Sequence, residues 1–141
     1  MNTHIAQVEI IVYKIVNAEP QFLLLKRVPE RGSFWQPVTG GVHKNEDLLS
    51  AAKRELFEET QIKDYINFLN DVHYFEFHDD EQGMLKEYVY GVEVNEKIDV
   101  KLSLEHSEKK WCTINEALEL LKFDTNKDAF KKLYKLLTIK D

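Results

Sequence analysis

Three glutamates in the middle of the chain, Glu55, Glu58 and Glu59, stand at i, i+3 and i+4. On a helix, that spacing sends all three side chains from one side. Unscreened, the arrangement repels itself, and it lies near the end of the helix where the backbone dipole disfavours negative charge. A hard divalent cation turns that liability into a binding site. Mg²⁺ prefers oxygen ligands and is commonly held by carboxylates together with substrate phosphates. Ahead of the acids, Gly40 and Gly41 permit tight backbone turns and the close approach of a ligand to main-chain groups. Arg54 lies beside the carboxylates, placed to pair with Glu46 across the loop or with Glu58, and either pairing would hold the loop against the helix. Had Glu58 and Glu59 stood alone, an ordinary solvated acidic helix would explain them about as well.

These groups need elements to position them. A helix is expected from about Asp47 to Thr60, with Asp47 as its N-cap and Leu49, Ala52 and Leu56 forming its apolar face. Before it, Val8 to Val16 and Gln21 to Lys26 are rich in β-branched and aromatic residues and predict a hairpin, turned at Asn17 to Pro20. Pro29 to Ser33 is a loop by its turn residues, Phe34 to Val38 is short and extended, and Thr39 to Asn45 is a loop leading into the helix. After the helix, Val72 to His78 and Glu87 to Glu93 predict two strands, with Asp79 to Gly83 beginning their connection. Lys109 to Cys112 is a short last strand. Thr113 to Glu116 has the pattern of a capping box opening a helix through Leu121. A final amphipathic helix runs from Asn126 to Leu137, with Phe130, Leu133 and Leu137 on one side and a solvated face of lysines from Lys127 to Lys135. Strands, a central helix, more strands and terminal helices imply an α/β fold, a mixed sheet covered by helices on both faces.

Composition bounds the rest. At 141 residues, 43% hydrophobic and 31% charged, residues 1–141 make one domain able to fold without disulfide or structural metal. The lone cysteine, Cys112, excludes an internal disulfide and a cysteine-based zinc site. Met1 to His4 lacks the basic region and apolar core of a leader, and no apolar run is long enough to span a bilayer, so a cytoplasmic protein without membrane contact is expected. A net charge of −6 argues against nucleic acid polymers as partners. It does not argue against a small polyphosphate, because a bound dication reverses the local field.

Residues 40 to 62 resemble the Nudix box, in which Gly, five residues, Glu, seven residues and Arg-Glu-apolar-any-Glu-Glu-any-Gly-apolar follow one another. Gly40, Glu46, Arg54, Glu55, Leu56, Glu58, Glu59 and Ile62 match in register. At roughly 5–7% usage for each specified residue, a chance match in such a chain is about one in a million. Gln61 stands where the box has Gly, which touches the turn after the helix and leaves the carboxylates alone. Asn45 replaces another common Gly, and Asn tolerates a left-handed backbone. Outside the box, Leu23 to Arg27 with Phe34 to Gly41, and Leu104 to Trp111, are similar to the dihydroneopterin triphosphate and dATP pyrophosphohydrolase subgroup.

That resemblance implies a Nudix-type α/β/α sandwich and a Mg²⁺-dependent pyrophosphohydrolase, with Mn²⁺ as the alternative metal. Its substrate would be a deoxynucleoside or dihydroneopterin triphosphate, and the chain a monomer or homodimer. It implies Glu55, Glu58 and Glu59 as metal ligands around a water that attacks phosphorus. Glu105, from the family motif Glu-His-x-x-x-x-Trp that ends at Trp111, would be a further ligand or the general base. Arg54 and Glu46 brace the box. Lys26 and Arg27, at the end of a strand, are placed to reach phosphate, with exposed strand-end charge as the plainer reading. Trp35 and Gln36 could form a base pocket, one by stacking and one by edge hydrogen bonds, though Trp35 suits the core equally well. Tyr74, Phe75, Phe77, Tyr88 and Tyr90 alternate as core or sheet-surface residues do. The five histidines (His4, His43, His73, His78, His106) lack metal-ligand spacing, and no chemistry is assigned to them. A dinucleoside polyphosphate, an oxidised nucleotide or a nucleoside diphosphate derivative is the alternative substrate, and a silent nucleotide-sensing domain the alternative role.

Overall fold

The structure, a computed structural model, describes residues 6–139; Met1 to His4 lie outside the described residues. Its first strands form the expected hairpin, β1 (Ala6–Val16) and β2 (Glu19–Arg27). The turn is shorter than expected. Asn17 and Ala18 both take positive φ, 53° and 67°, which matches the two-residue hairpin turn whose twist suits its strands. Glu19 and Pro20 therefore already belong to β2, paired with Val16 and Ile15.

A single-turn 3-10 helix at Pro29–Arg31 leads to β3 (Trp35–Gln36) and β4 (Val38–Gly41). Thr39 to Gly41, expected in a loop, are strand, because Thr39, Gly40 and Gly41 pair with Glu9, Val8 and Gln7. Helix α1 (Leu48–Thr60) follows, then the long pair β5 (Asn67–Asp79) and β6 (Gly83–Glu93). β5 starts five residues before the expected Val72: Asn67 to Leu69 have little apolar pattern of their own but are templated by Glu93 to Gly91 of β6. This is context overriding propensity. β7 (His106–Cys112), α2 (Ile114–Leu120) and α3 (Asp124–Thr138) complete the chain. The capping box at Thr113 and Glu116 is present with both of its reciprocal hydrogen bonds.

The sheet is mixed. Its main path runs β3-β2-β1-β6-β5, with β1 and β6 parallel and the other pairs antiparallel. β1 has two partners on one side: its later half pairs with β2 and its earlier half with β4. β2 thus leaves β1 and carries β3 and β7 with it, opening a fork in the sheet. Alternation sorts the side chains into two cores, as a period of two requires. Val8, Ile10, Val12, Leu23, Leu25 and Val38 pack with Ala51, Ala52 and Leu56 of α1. Ile11, Tyr13, Phe22, Leu24 and Val89 pack with Ala117, Phe130 and Leu133 of α2 and α3. The α/β/α sandwich is as expected. Cys112 is a buried free thiol. No helix among the described residues is long and apolar enough to cross a membrane.

Candidate active site

Asp47 caps α1 by accepting from the Ser50 N–H at 2.8 Å, as expected. The buried face differs from the expected one. It runs through Ala51, Ala52, Glu55, Leu56 and Glu59, while Leu49 is 38% exposed. Shifting the arc in this way carries Glu55 and Glu59 against the sheet, whereas the Glu58 side chain is 55% exposed. The three carboxylates leave the same general side of the helix but enter different dielectrics. At the far end Gln61, in the place of the box glycine, takes φ 62° and donates its N–H to the Phe57 carbonyl. The turn therefore keeps the left-handed form at a cost in backbone strain. Asn45 likewise sits at φ 67°.

Arg54 ties this region together. Its Nε and Nη2 grip both oxygens of Glu46 at 2.8 and 3.0 Å, and Nη2 also donates to the Gly41 carbonyl at 2.8 Å. Nη1 donates to Glu55 at 2.8 Å and to Glu58 at 3.1 Å. The two pairings expected as alternatives, Glu46 and Glu58, are both made. The Arg54 hydrogen bonds hold the Glu46 carboxyl down at about 2, well below its ordinary value of 4.5.

Gly40 does not turn the chain; it is a strand residue lying flush against Glu55, and a methyl group built there would overlap the Glu55 carboxylate. Beside it, Glu59 is 3% exposed and one of its oxygens has no hydrogen-bond partner among the described residues. Burial, and then the Glu55 charge, push the Glu59 carboxyl up to about 10, and Glu59 donates its proton toward Glu55. Glu55 is itself raised, by burial, against the opposing pull of Arg54. Two carboxyls sharing one proton mark a place where a dication would replace that proton. His106 Nε2 lies 3.8 Å from Glu59 and 3.0 Å from the Gln36 amide nitrogen. Burial lowers His106 and raises Glu59, so their contact joins two neutral groups and is not an ion pair.

Among the described residues no three acidic or histidine side chains already converge at metal-ligand spacing, since Arg54 draws Glu58 aside. The donor set nonetheless fits a hard cation: an orphaned buried carboxylate oxygen, a second carboxylate sharing its proton, and a third on the same helix released by turning from Arg54. Glu105 lies near enough for its charge to raise Glu59 and is held by Arg31 at 3.2 Å.

On the α3 side of the sheet, the fork between β4 and β2 opens into a cleft of about 520 Å³, and Arg27, Gln36 and Thr39 line it. Gln36 thus joins the cleft to His106 and Glu59. Lys26 points elsewhere, 3.6 Å from Glu108 and 5.9 Å from the Trp35 ring centre. Trp35 packs on the α2–α3 core and does not line the cleft. The aromatic walls come instead from Phe34, Phe75, Phe77 and Phe123. Glu87, 4% exposed, also lines it, and Glu9 is fully buried behind. The sequence alone points to neither acid as functional; for Glu9 the available signal is a charged residue inside an apolar strand run, Val8-Glu9-Ile10-Ile11, and for Glu87, beside Lys86, there is no such signal.

A sequence model of the NUDIX domain matches residues 6–134. The chain is 35% identical over 126 residues to an octanoyltransferase of Myxococcus xanthus, covering 89% of this chain and 35% of that protein, so it spans about a third of that relative's length. It is 32% identical over 113 residues to the asymmetrical bis(5'-nucleosyl)-tetraphosphatase of Caenorhabditis elegans, covering 79% of this chain and 80% of that one. The solved dihydroneopterin triphosphate pyrophosphohydrolase of E. coli superposes with a TM-score of 0.80 at 21% identity, covering 95% and 97% of the two chains. That last likeness is one of fold.

Proposed function

The chain belongs to the NUDIX family, and from that premise we propose that it hydrolyses a diphosphate linkage in a deoxynucleoside or dihydroneopterin triphosphate, releasing pyrophosphate and the monophosphate. The observation that carries this reading is the buried Glu55–Glu59 pair with its unpartnered oxygen, set through His106, 3.8 Å from Glu59 and hydrogen-bonded to Gln36, beside a cleft large enough for a heterocyclic ring. Glu55, Glu58 and Glu59 hold the cation, Mg²⁺ or Mn²⁺, with Glu105 as a further ligand or the general base. When bound, the cation lowers the pKa of water and neutralises phosphoryl oxygens. Arg54 keeps Glu55 in place and the 41–46 loop against α1. Gly40 leaves room for Glu55. Arg27 supplies positive charge for the phosphates from the cleft wall, whereas Lys26 is turned to Glu108. Gln36 orients His106 beside Glu59. A cytoplasmic location, and a monomer or homodimer, belong to the same proposal.

The similarity to the tetraphosphatase, which extends over four fifths of both chains, favours dinucleoside polyphosphate as the second reading. Phosphorus NMR on a panel of dNTPs, dihydroneopterin triphosphate and diadenosine tetraphosphate, with and without Mg²⁺, separates them. Cation-dependent pyrophosphate release from a triphosphate supports the first reading. Cleavage of the dinucleotide alone supports the second, and no turnover of any would overturn both.

A further inference from the structure

The cleft wall and the layer behind it hold two buried carboxyls that the hydrolytic reading does not use. Glu87 projects from β6 toward the α3 layer. One of its oxygens accepts from Thr39 Oγ1 at 3.2 Å, and the other, Oε1, is buried without a partner. Behind it Glu9, fully buried, accepts from Asn126 Nδ2 at 2.7 Å through one oxygen and has no partner for the other. Since Glu9 takes the amide nitrogen, Asn126 is left with Oδ1 to offer from the cleft wall, where it stands with Glu87. A third orphan, Arg27 Nε, is a buried donor on the same cleft.

Leaving a buried polar atom unpaired costs about 1–3 kcal/mol, and replacing buried charge by apolar side chains is often neutral or stabilising. A packing role therefore does not account for these groups. A ligand that pairs with them does. Phosphate oxygens do not suit the two acids, which offer acceptors when ionised and only one proton each when neutral. The walls, Phe34, Phe75, Phe77 and Phe123, suit a flat ring. What the orphans ask of that ring is adjacent N–H donors toward Glu87 and Asn126 and an oxygen toward Arg27. Guanine and pterin rings share that edge: a ring N–H, a 2-amino group and a 4-oxo group. Adenine offers an amino group beside a lone pair, which would face the carboxylate.

We propose that Glu87, with Asn126 anchored by Glu9 and with Arg27 Nε, reads the 2-amino-4-oxopyrimidine edge common to guanine and pterin rings and so selects the triphosphate that is cleaved. The terminal nitrogens of Arg27 remain available to phosphate. This selection rests on the hydrolase reading above for its consequence, but ring binding is measurable without turnover.

The test has two arms. In the first, kcat/KM is measured for dGTP, dihydroneopterin triphosphate and dATP with the parent and with Glu87→Gln, well above the value of about 7 to which burial pushes the Glu87 carboxyl. The parent is expected to prefer one or both of the 2-amino-4-oxo substrates over dATP by about 10- to 100-fold, the scale of a hydrogen bond to a charged group. Glu87→Gln is expected to shrink that ratio at least about tenfold, and the ratio of the two favoured substrates tells guanine from pterin. In the second, binding of GMP, neopterin and AMP to the metal-free parent is followed by NMR at Glu87 and Asn126, which needs neither turnover nor a folded variant. Equal kcat/KM for dATP, an unaltered ratio in Glu87→Gln, or AMP binding as tightly as GMP and neopterin would overturn the proposal. Selective GMP or neopterin binding with no triphosphate cleaved would support it while overturning the hydrolase reading.

Discussion

Around Arg54, the carboxylates of Glu46, Glu55 and Glu58 and the Gly41 carbonyl share one guanidinium at 2.8 to 3.1 Å. In the adjoining interior, Glu59, Glu87 and Glu9 each keep an oxygen without a hydrogen-bond partner among the described residues. The first region braces the loop before α1 with every carboxylate paired to Arg54, Glu55 and Glu58 being the two that also face the proposed cation. The second is incomplete, and the energy of its unpaired groups is returned only when something binds. Glu55 is the joint, accepting from Arg54 on one side and from Glu59 on the other. The difference teaches where structure ends and function begins: compensated charge builds the scaffold, and orphaned charge marks what it is for.

Breaking the scaffold should have the largest effect. Arg54→Ala leaves partly buried carboxylates without their cation and is expected to lower stability by about 2–4 kcal/mol, measured by urea unfolding. It should also change the acid limb. Because Glu46 titrates near 2 when folded rather than at 4.5, its contribution is full above 4.5 and is lost as pH falls through 2. That loss should be missing in Arg54→Ala. A variant as stable as its parent would show that the network braces nothing.

The incomplete region should answer to pH in the opposite sense. The Glu55–Glu59 pair retains a proton, with Glu59 raised to about 10, and a cation needs that proton gone. Mg²⁺ affinity should therefore rise with pH, by up to tenfold per unit or about 1.4 kcal/mol, with about one proton released per ion. Calorimetry in buffers of different ionisation enthalpy counts it, and a count of zero would place the metal elsewhere. The smallest effect sharpens the contrast from outside both regions. Gln61 carries left-handed strain that serves no ligand, so Gln61→Gly should raise stability by about 0.5–1 kcal/mol. On thermal unfolding that is about 2–4 °C, with turnover unchanged; a lower melting point would mean the Gln61 side chain contributes something not seen in its contacts.

How much of this was legible in the sequence varied with the distance over which the physics acts. The carboxylate face, the Asp47 cap and the Thr113 capping box were visible because a helix converts spacing into geometry within a turn or two. Which acids were buried was not. Leu49 looked like a core position as much as Ala52 did, and only packing against the sheet rotated Glu55 and Glu59 inward while leaving Glu58 out. Gly40 and Gly41 looked like a turn because their strand partner, Gln7 to Val8, lies more than thirty residues away. The aromatic alternation of Phe75 and Phe77 suggested sheet surface, which it is; that the surface forms a cleft wall depends on α3 closing over it. Trp35, weighed between pocket and core, packs on the α2–α3 core. Glu9 carried the clearest unused hint, since a charged residue in the middle of an apolar strand asks for a partner, whereas Glu87, next to Lys86 at the start of its predicted strand, carried none.

The measurement that separates compensated from orphaned charge most directly is Glu59→Gln, with thermal unfolding and Mg²⁺-dependent triphosphate hydrolysis measured on the same preparation. Glu59 is already neutral near pH 7 in the metal-free protein, so the amide should keep stability within about 1 kcal/mol of the parent while turnover falls by about 10²- to 10⁴-fold. Full turnover in a variant that folds normally would contradict the assignment of that oxygen to the metal, and with it the reading of the orphaned acids as the functional ones.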